Sequence, residues 1–187
     1  MPREGYIPPI TGKRWLHTLV KPILVVGNSV LDRPVPEEEY QSVVRINNYC
    51  LGGLSGNKVT HWVANGYQSV MDRPIRPVLV PWSLKCEELR GNPGQVFFER
   101  VQGKVIYLVG ERHIRWWFPS AAFRGKNFPT TGFCFLAWLI AEKIRPDIAG
   151  FDGMKTGHQG DPSFQHGHDK TRDREWHLIR KWGLRRR

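Results

Sequence analysis

The sequence predicts an α/β fold: one domain over residues 1–187, built on a mostly parallel, twisted sheet with helices on both faces. Three observations predict it. Short β-branched runs end in turn residues, an apolar segment with helical spacing is bracketed by Pro-Thr-Thr-Gly and a later proline, and the order strand, turn, helix, strand recurs. A chain of 187 residues can bury a real core, and its 40% hydrophobic and 24% charged content excludes wholesale disorder.

Residues 1–21 form an irregular lead-in, because Pro2, Pro8 and Pro9 prevent a long helix. Ile23-Leu24-Val25-Val26 is the first strand, and Gly27-Asn28-Ser29 opens its C-terminal end into a loop. Further strands are expected over Ser42–Asn48 (SVVRINN), Lys58–Asn65 (KVTHWVAN), Pro77–Pro81 (PVLVP) and Lys104–Val109 (KVIYLV). A short helix is expected over Leu84–Arg90. The best-marked helix is announced by Pro129-Thr130-Thr131-Gly132. Its apolar positions Phe133, Leu136, Ala137, Ile140 and Ile144 share a face, Thr130 or Thr131 caps it, and Pro146 is expected to stop it. Ile148–Gly153 reads as a short strand ending in a turn. Residues 154–170 read as a mobile loop rich in Gly and His, and 171–187 as a basic helix and tail. No internal repeat is visible.

The formal charge is +11, and the stretch Lys170–Arg187 holds eight basic residues against two acidic ones, a net +6. Such a balance favours an anionic partner. The cysteines Cys50, Cys86 and Cys134 are too scattered for a disulfide framework and fit a reducing compartment as small buried thiols. The most apolar stretch, Gly132–Ala141, is about half the length of a membrane span. The opening MPREGYIPPITGKRW lacks the apolar centre of a signal peptide, so a cytoplasmic location is expected.

Several familiar motifs are absent. VVGNSV lacks the spaced glycines of a dinucleotide fingerprint, and Asn57 interrupts the Gly-Lys pair that GGLSGNK would need as a phosphate loop. No Asp-x-Asp occurs, so the usual carboxylate pair for a divalent metal is missing. His158, His166 and His168 lack a cysteine pair or carboxylate to complete a zinc set, and no metal site is expected.

Four motifs remain, in order: Gly27-Asn28-Ser29 after a strand, Arg45-Ile46-Asn47-Asn48 after the next, Pro129-Thr130-Thr131-Gly132 at a helix start, and a His-rich segment before the last helix. In that order they resemble the sialyltransferase family (glycosyltransferase family 29). Residues 23–65, ILVVGNSVLDRPVPEEEYQSVVRINNYCLGGLSGNKVTHWVAN, resemble its first large motif, and residues 128–153, FPTTGFCFLAWLIAEKIRPDIAGFDG, its second. His166-Gly167-His168-Asp169 with Glu175 and His177 stand where that family carries its downstream histidines and acidic residue. The likeness runs over roughly residues 23–180.

The resemblance implies a single Rossmann-like domain, a variant of the GT-A type, and an inverting, metal-independent transfer from a CMP-linked sugar with no other cofactor. Asn28 and Asn47 would contact the nucleotide, joined by Ser29 and Gly153. Thr130, Thr131 and Gly132 would offer hydroxyls and amides to an anion at the helix N-terminus. One histidine would be the general base and another would donate to the departing phosphate. His168 is read as the base and His166 as the phosphate donor; the competing assignment puts His168 on the phosphate and His177 as base. The cysteine pair that joins the two large motifs in secreted animal members is missing, which agrees with a bacterial-type or viral-type member and leaves sialic acid and Kdo both open. The acceptor would be a glycan, a glycolipid or another hydroxyl, and the basic tail would rest on an anionic membrane surface, peripheral to the inner membrane.

A second class of function is a nucleic-acid-binding module, carried by the tail charge and the eight tryptophans; a transferase acting on DNA would combine the two. Taken singly, Asn28, Asn47 and Asn48 read as turn residues, Thr130 and Thr131 as caps, His61 and His113 as structural, and Arg185–Arg187 as a solvated tail. Trp116, Trp117 and Phe118 read either as an acceptor groove or as core. The joint order of the four motifs carries the functional reading.

Overall fold

A computed structural model describes residues 15–47, 49–64, 77–79, 107–108, 130–153, 155 and 169–187. Among the described residues six strands form one sheet: β1 (Ile23–Val26), β2 (Ser42–Ile46), β3 (His61–Ala64), β4 (Pro77–Leu79), β5 (Tyr107–Leu108) and β6 (Asp147–Ala149). Their order is β5-β4-β3-β2-β1-β6, and every pair is parallel. The expected α/β class with a parallel sheet is therefore present. Val25 is in register with Val44 on one side and Ile148 on the other. Near-continuous apolar runs such as ILVV arise because a parallel sheet is covered on both faces.

The two faces bury different residues. Ile23, Val25, Val44, Ile46, Val63 and Ile148 pack against helix α1 (Thr131–Ala141) and the buried side of helix α2 (Asp169–Lys181). Leu24, Val26, Val43 and Ala149 face the other way, onto Val35 and Tyr40 around the 3-10 turn Glu37–Glu39. Helices were expected on both faces; among the described residues both α-helices join the same face. The expected helix Leu84–Arg90 lies outside the described residues.

Helix α1 is buried from Thr131 through Leu139, so it is apolar on all sides rather than amphipathic. Trp15 stacks on Trp138 at 5.8 Å, and Trp182 after α2 stacks on Phe133 at 5.2 Å, closing the sides that the sheet leaves open. The helix stops before Pro146 has any say. Lys143 adopts φ 61°, its amide donates to the Ile140 carbonyl, and the Ile144 amide donates to the Leu139 carbonyl. That is a Schellman ending with lysine where glycine is usual, and the ending carries no glycine for a sequence reader to find.

On the opposite face Arg45 is fully buried. It donates to the Ser55 hydroxyl at 2.7 Å, to the Lys58 carbonyl at 3.2 Å and to Glu37 at 3.2 Å. Glu37 also accepts from the Asn57 and Lys58 amides at 2.8 and 2.7 Å. These bonds hold residues 55–58 as a loop, which is why β3 begins at His61 rather than at Lys58.

The C-terminal arginines are not a solvated tail. Arg186 bridges Ile148 in parallel, with the Ile148 amide donating to the Arg185 carbonyl and the Arg187 amide to the Ile148 carbonyl. The Arg187 guanidinium meets Asp147 and Glu39, each at 3.0 Å, and Arg186 lies 4.8 Å over the Trp176 ring. Backbone pairing to a strand edge needs no particular side chain, so the Arg-Arg-Arg sequence could not announce it.

Candidate functional site

The strand order reverses at β1, with β2 to β5 laid out on one side and β6 on the other. In open parallel sheets ligands bind beyond the C-terminal ends of strands at such a reversal. Two loops leave β1 and β6 there, Gly27–Ser29 and Gly150–Gly153. They are tied together: the Gly27 amide donates to the Ala149 carbonyl at 2.8 Å, the Ser29 amide to the Gly150 carbonyl at 3.1 Å, and the Ser29 hydroxyl to Asp152 at 2.7 Å. A Cβ on Gly27 would lie 2.3 Å from the Gly150 carbonyl oxygen, so only glycine allows this approach.

The N-terminus of α1 arrives at the same end. A Cβ on Gly132 would lie 2.9 Å from Phe151 and 3.9 Å from Ile46, which places the first helical turn over the ends of β6 and β2. Thr130 is the N-cap, its hydroxyl accepting from the Phe133 amide at 3.2 Å. The same hydroxyl donates to Glu175 of α2 at 2.7 Å, and the Thr130 amide donates to Glu175 at 2.9 Å. Two of the four amides that a helix start leaves without intrahelical partners are thus satisfied. The other two, Thr131 and Gly132, have no partner among the described residues. They point the positive end of the helix at whatever lies beyond the strand ends.

Asn47 follows β2 in the left-handed region at φ 51°, a conformation asparagine tolerates better than most residues. Its amide donates to the Val63 carbonyl at 2.7 Å, and its carbonyl accepts from the Trp62 indole at 2.8 Å. Asn28 is half-buried between Gly27 and Ser29. The site residues expected from sequence therefore divide. Asn28, Ser29, Asn47, Thr130, Thr131, Gly132 and Gly153 all stand at the C-terminal edge of β1, β2 and β6. His177 stands apart: it is exposed, while Glu175 two residues earlier on α2 is buried.

His166 and His168 lie outside the described residues, as do Asn48, Cys86, His113, Trp116, Trp117, Phe118 and most of 154–170. His61, read as structural, bonds to Thr18 at 3.0 Å and to Thr60 at 2.8 Å, and burial lowers its pKa. Burial, then the nearby Glu175 carboxylate, pushes the Cys134 thiol well up. Cys50 and Cys134 are free thiols.

Packing accounts for two glycines that the resemblance assigned to ligand contact. Gly132 makes room for Phe151, and Gly153, at φ 77°, sits against Trp176, which a Cβ would meet at 2.9 Å. Sequence reading did not assign Asp152 as the partner of Ser29. The signal was the turn Gly150-Phe151-Asp152-Gly153, where Asp behind a strand offers a carboxylate to the neighbouring loop. Among the described residues no group of three His, Cys, Asp or Glu side chains is arranged to hold a metal, and no helix is long and apolar enough to cross a membrane.

No family model, curated protein or solved structure matches the chain.

Proposed function

We propose that the chain is a sialyltransferase-like glycosyltransferase on a Rossmann-like domain, moving an acidic sugar, sialic acid or a relative such as Kdo, from its CMP-linked form to a hydroxyl acceptor. The observation that carries the reading is the meeting of three motifs at one strand edge: the Gly27–Ser29 loop, Asn47 and the N-terminal turn of α1. An amide side chain both donates and accepts, so Asn28 and Asn47 suit a ribose and a phosphate. The amides of Thr131 and Gly132 suit the phosphate or the sugar carboxylate. Thr130, whose amide and hydroxyl are taken by Glu175, acts by holding that turn in place.

The chemistry is a direct displacement with inversion. A histidine takes the proton of the acceptor hydroxyl as its oxygen attacks the anomeric carbon. The bond from that carbon to the phosphate oxygen breaks, CMP leaves with the electron pair, and a second histidine gives it a proton. His168 is assigned as base and His166 as proton donor, with His177 as the competing base. CMP is a modest leaving group in charge, and the absence of Asp-x-Asp accords with catalysis without a divalent ion. Free Cys50 and Cys134 accord with a cytoplasmic protein.

The test is a thermal-shift panel of nucleotides and CMP-sugars with and without EDTA. CMP should raise the melting temperature in EDTA, and Asn28→Ala and Thr131→Ala should remove the rise. His168→Ala should cut transfer sharply and leave the rise intact; the same result from His177→Ala instead would reverse the assignment. No stabilisation by any cytidine nucleotide would sink the proposal.

A further inference from the structure

We infer that the end of the sheet opposite the donor loops is a docking surface for an anionic lipid bilayer. Four segments meet there. The turn after α1 carries Lys143 and Arg145, and the Arg145 guanidinium bonds the Trp182 carbonyl just beyond α2. Arg180 and Lys181 close α2. Arg185 precedes the segment that pairs with β6. Lys21 shares with Arg145 the lining of a groove of about 400 Å³ at the starts of β1 and β6. All six cations are exposed, and none has an ion-pair partner among the described residues. Of the carboxylates beside them, Asp147 and Glu39 are already held by Arg187, and Glu142 is half-buried.

The ordinary explanation of cations at helix C-termini is the helix dipole. It covers Arg180 and Lys181 but not Lys21 or Arg185, which lie outside helices. A cluster of this size without ion-pair partners among the described residues attracts an anionic surface, and, Arg145 apart, it does so through side chains that make no hydrogen bond to the rest of the fold among those residues. A bilayer fits better than a nucleic acid. Val20, 57% exposed, stands beside Lys21 as an aliphatic contact for the lipid boundary, whereas the exposed large hydrophobic residues among those described include no aromatic ring on which a base could stack. The surface takes Arg185 from the Arg-Arg-Arg end that the sequence emphasised but not Arg187, which is spent on Asp147 and Glu39.

One consequence rests on the transferase proposal. A docked molecule turns its donor loops away from the lipid, so the acceptor is a glycan chain standing off the surface rather than a hydroxyl at the headgroup.

The experiment is co-sedimentation of the full chain with phosphatidylcholine vesicles and with mixed phosphatidylcholine–phosphatidylglycerol vesicles. Binding should require phosphatidylglycerol and weaken as salt is raised. Lys21→Ala/Arg180→Ala/Lys181→Ala/Arg185→Ala should lower it by more than about tenfold, with the melting temperature and its response to CMP unchanged. Binding only to oligonucleotides, no binding to anionic vesicles, or equal binding by the quadruple variant would each overturn the inference. Vesicle binding without any CMP response would leave it standing and sink the transferase proposal instead.

Discussion

Glu175 on α2 closes the start of α1 by accepting from both the amide and the hydroxyl of Thr130, at 2.9 and 2.7 Å. One buried carboxylate thus fixes the angle between two helices and the strand edge they overhang. It also fills part of the anion-attracting end of α1, leaving the Thr131 and Gly132 amides for a ligand.

Glu175→Ala is therefore expected to cost about 2–3 kcal/mol, because it strips a charged acceptor from two part-buried donors. Glu175→Gln keeps one acceptor oxygen and should cost roughly half of that. Urea denaturation of both variants checks the order. Equal losses would mean that the acceptor oxygen glutamine retains contributes nothing.

Gly27→Ala places a methyl group 2.3 Å from the Gly150 carbonyl oxygen, so the β1 and β6 loops must part. The expected loss is about 1–3 kcal/mol, the usual cost of overpacking; the transferase proposal adds the loss of its expected stabilisation by CMP. Ser29→Ala, which removes the 2.7 Å bond to Asp152, should cost about 1 kcal/mol. Denaturation curves and thermal shifts on the same two variants separate packing from clamping.

The pair Arg45–Glu37 makes a third test. Arg45 has no exposed side-chain surface and Glu37 has 13%, so removing Glu37 strands a buried cation. Glu37→Ala should cost about 3–5 kcal/mol, while Arg45→Leu combined with Glu37→Leu should cost less than the sum of the single changes. A double-mutant cycle by chemical denaturation measures the coupling, and simple additivity would refute it.

His61 gives the chain an acid-side weakness. Burial lowers its pKa, so near and just below the ordinary value the unfolded chain binds more protons than the folded one. Stability should fall as pH drops through about 6.5 and level off once the folded imidazole also protonates. His61→Gln should flatten that part of the curve, as read from urea midpoints across pH. Ring resonances of His61 that titrate at the ordinary value would contradict the account.

The parts of the fold visible in the sequence are those set by local chemistry. Ile23–Val26, the start of β2 at Ser42 and a threonine cap follow from β-branched runs and a hydroxyl before an apolar helix; β2 ends at Ile46, before the expected Asn48, because Asn47 turns left-handed, and of the two threonines offered Thr130 is the cap. The parts that escaped depend on distant partners. Lys143 ends α1 through its backbone shape, the stretch 58–60 is drawn out of β3 by Arg45 and Glu37, and Gly132 and Gly153 answer to Phe151 and Trp176. At the site, the order of the motifs showed which loops share an edge. It could not show that Ser29 belongs to Asp152 and Thr130 to Glu175, pairs separated by 123 and 45 positions in the chain.

The segment 185–187 lies along the outer side of β6, the last strand in the sheet order. A row of bare amides and carbonyls on such a strand is a template for a second molecule, and here that row is already taken. Deleting these three residues should therefore make the chain self-associate more than the intact one, seen as earlier elution on size exclusion, even though the deletion removes positive charge and not a single apolar side chain.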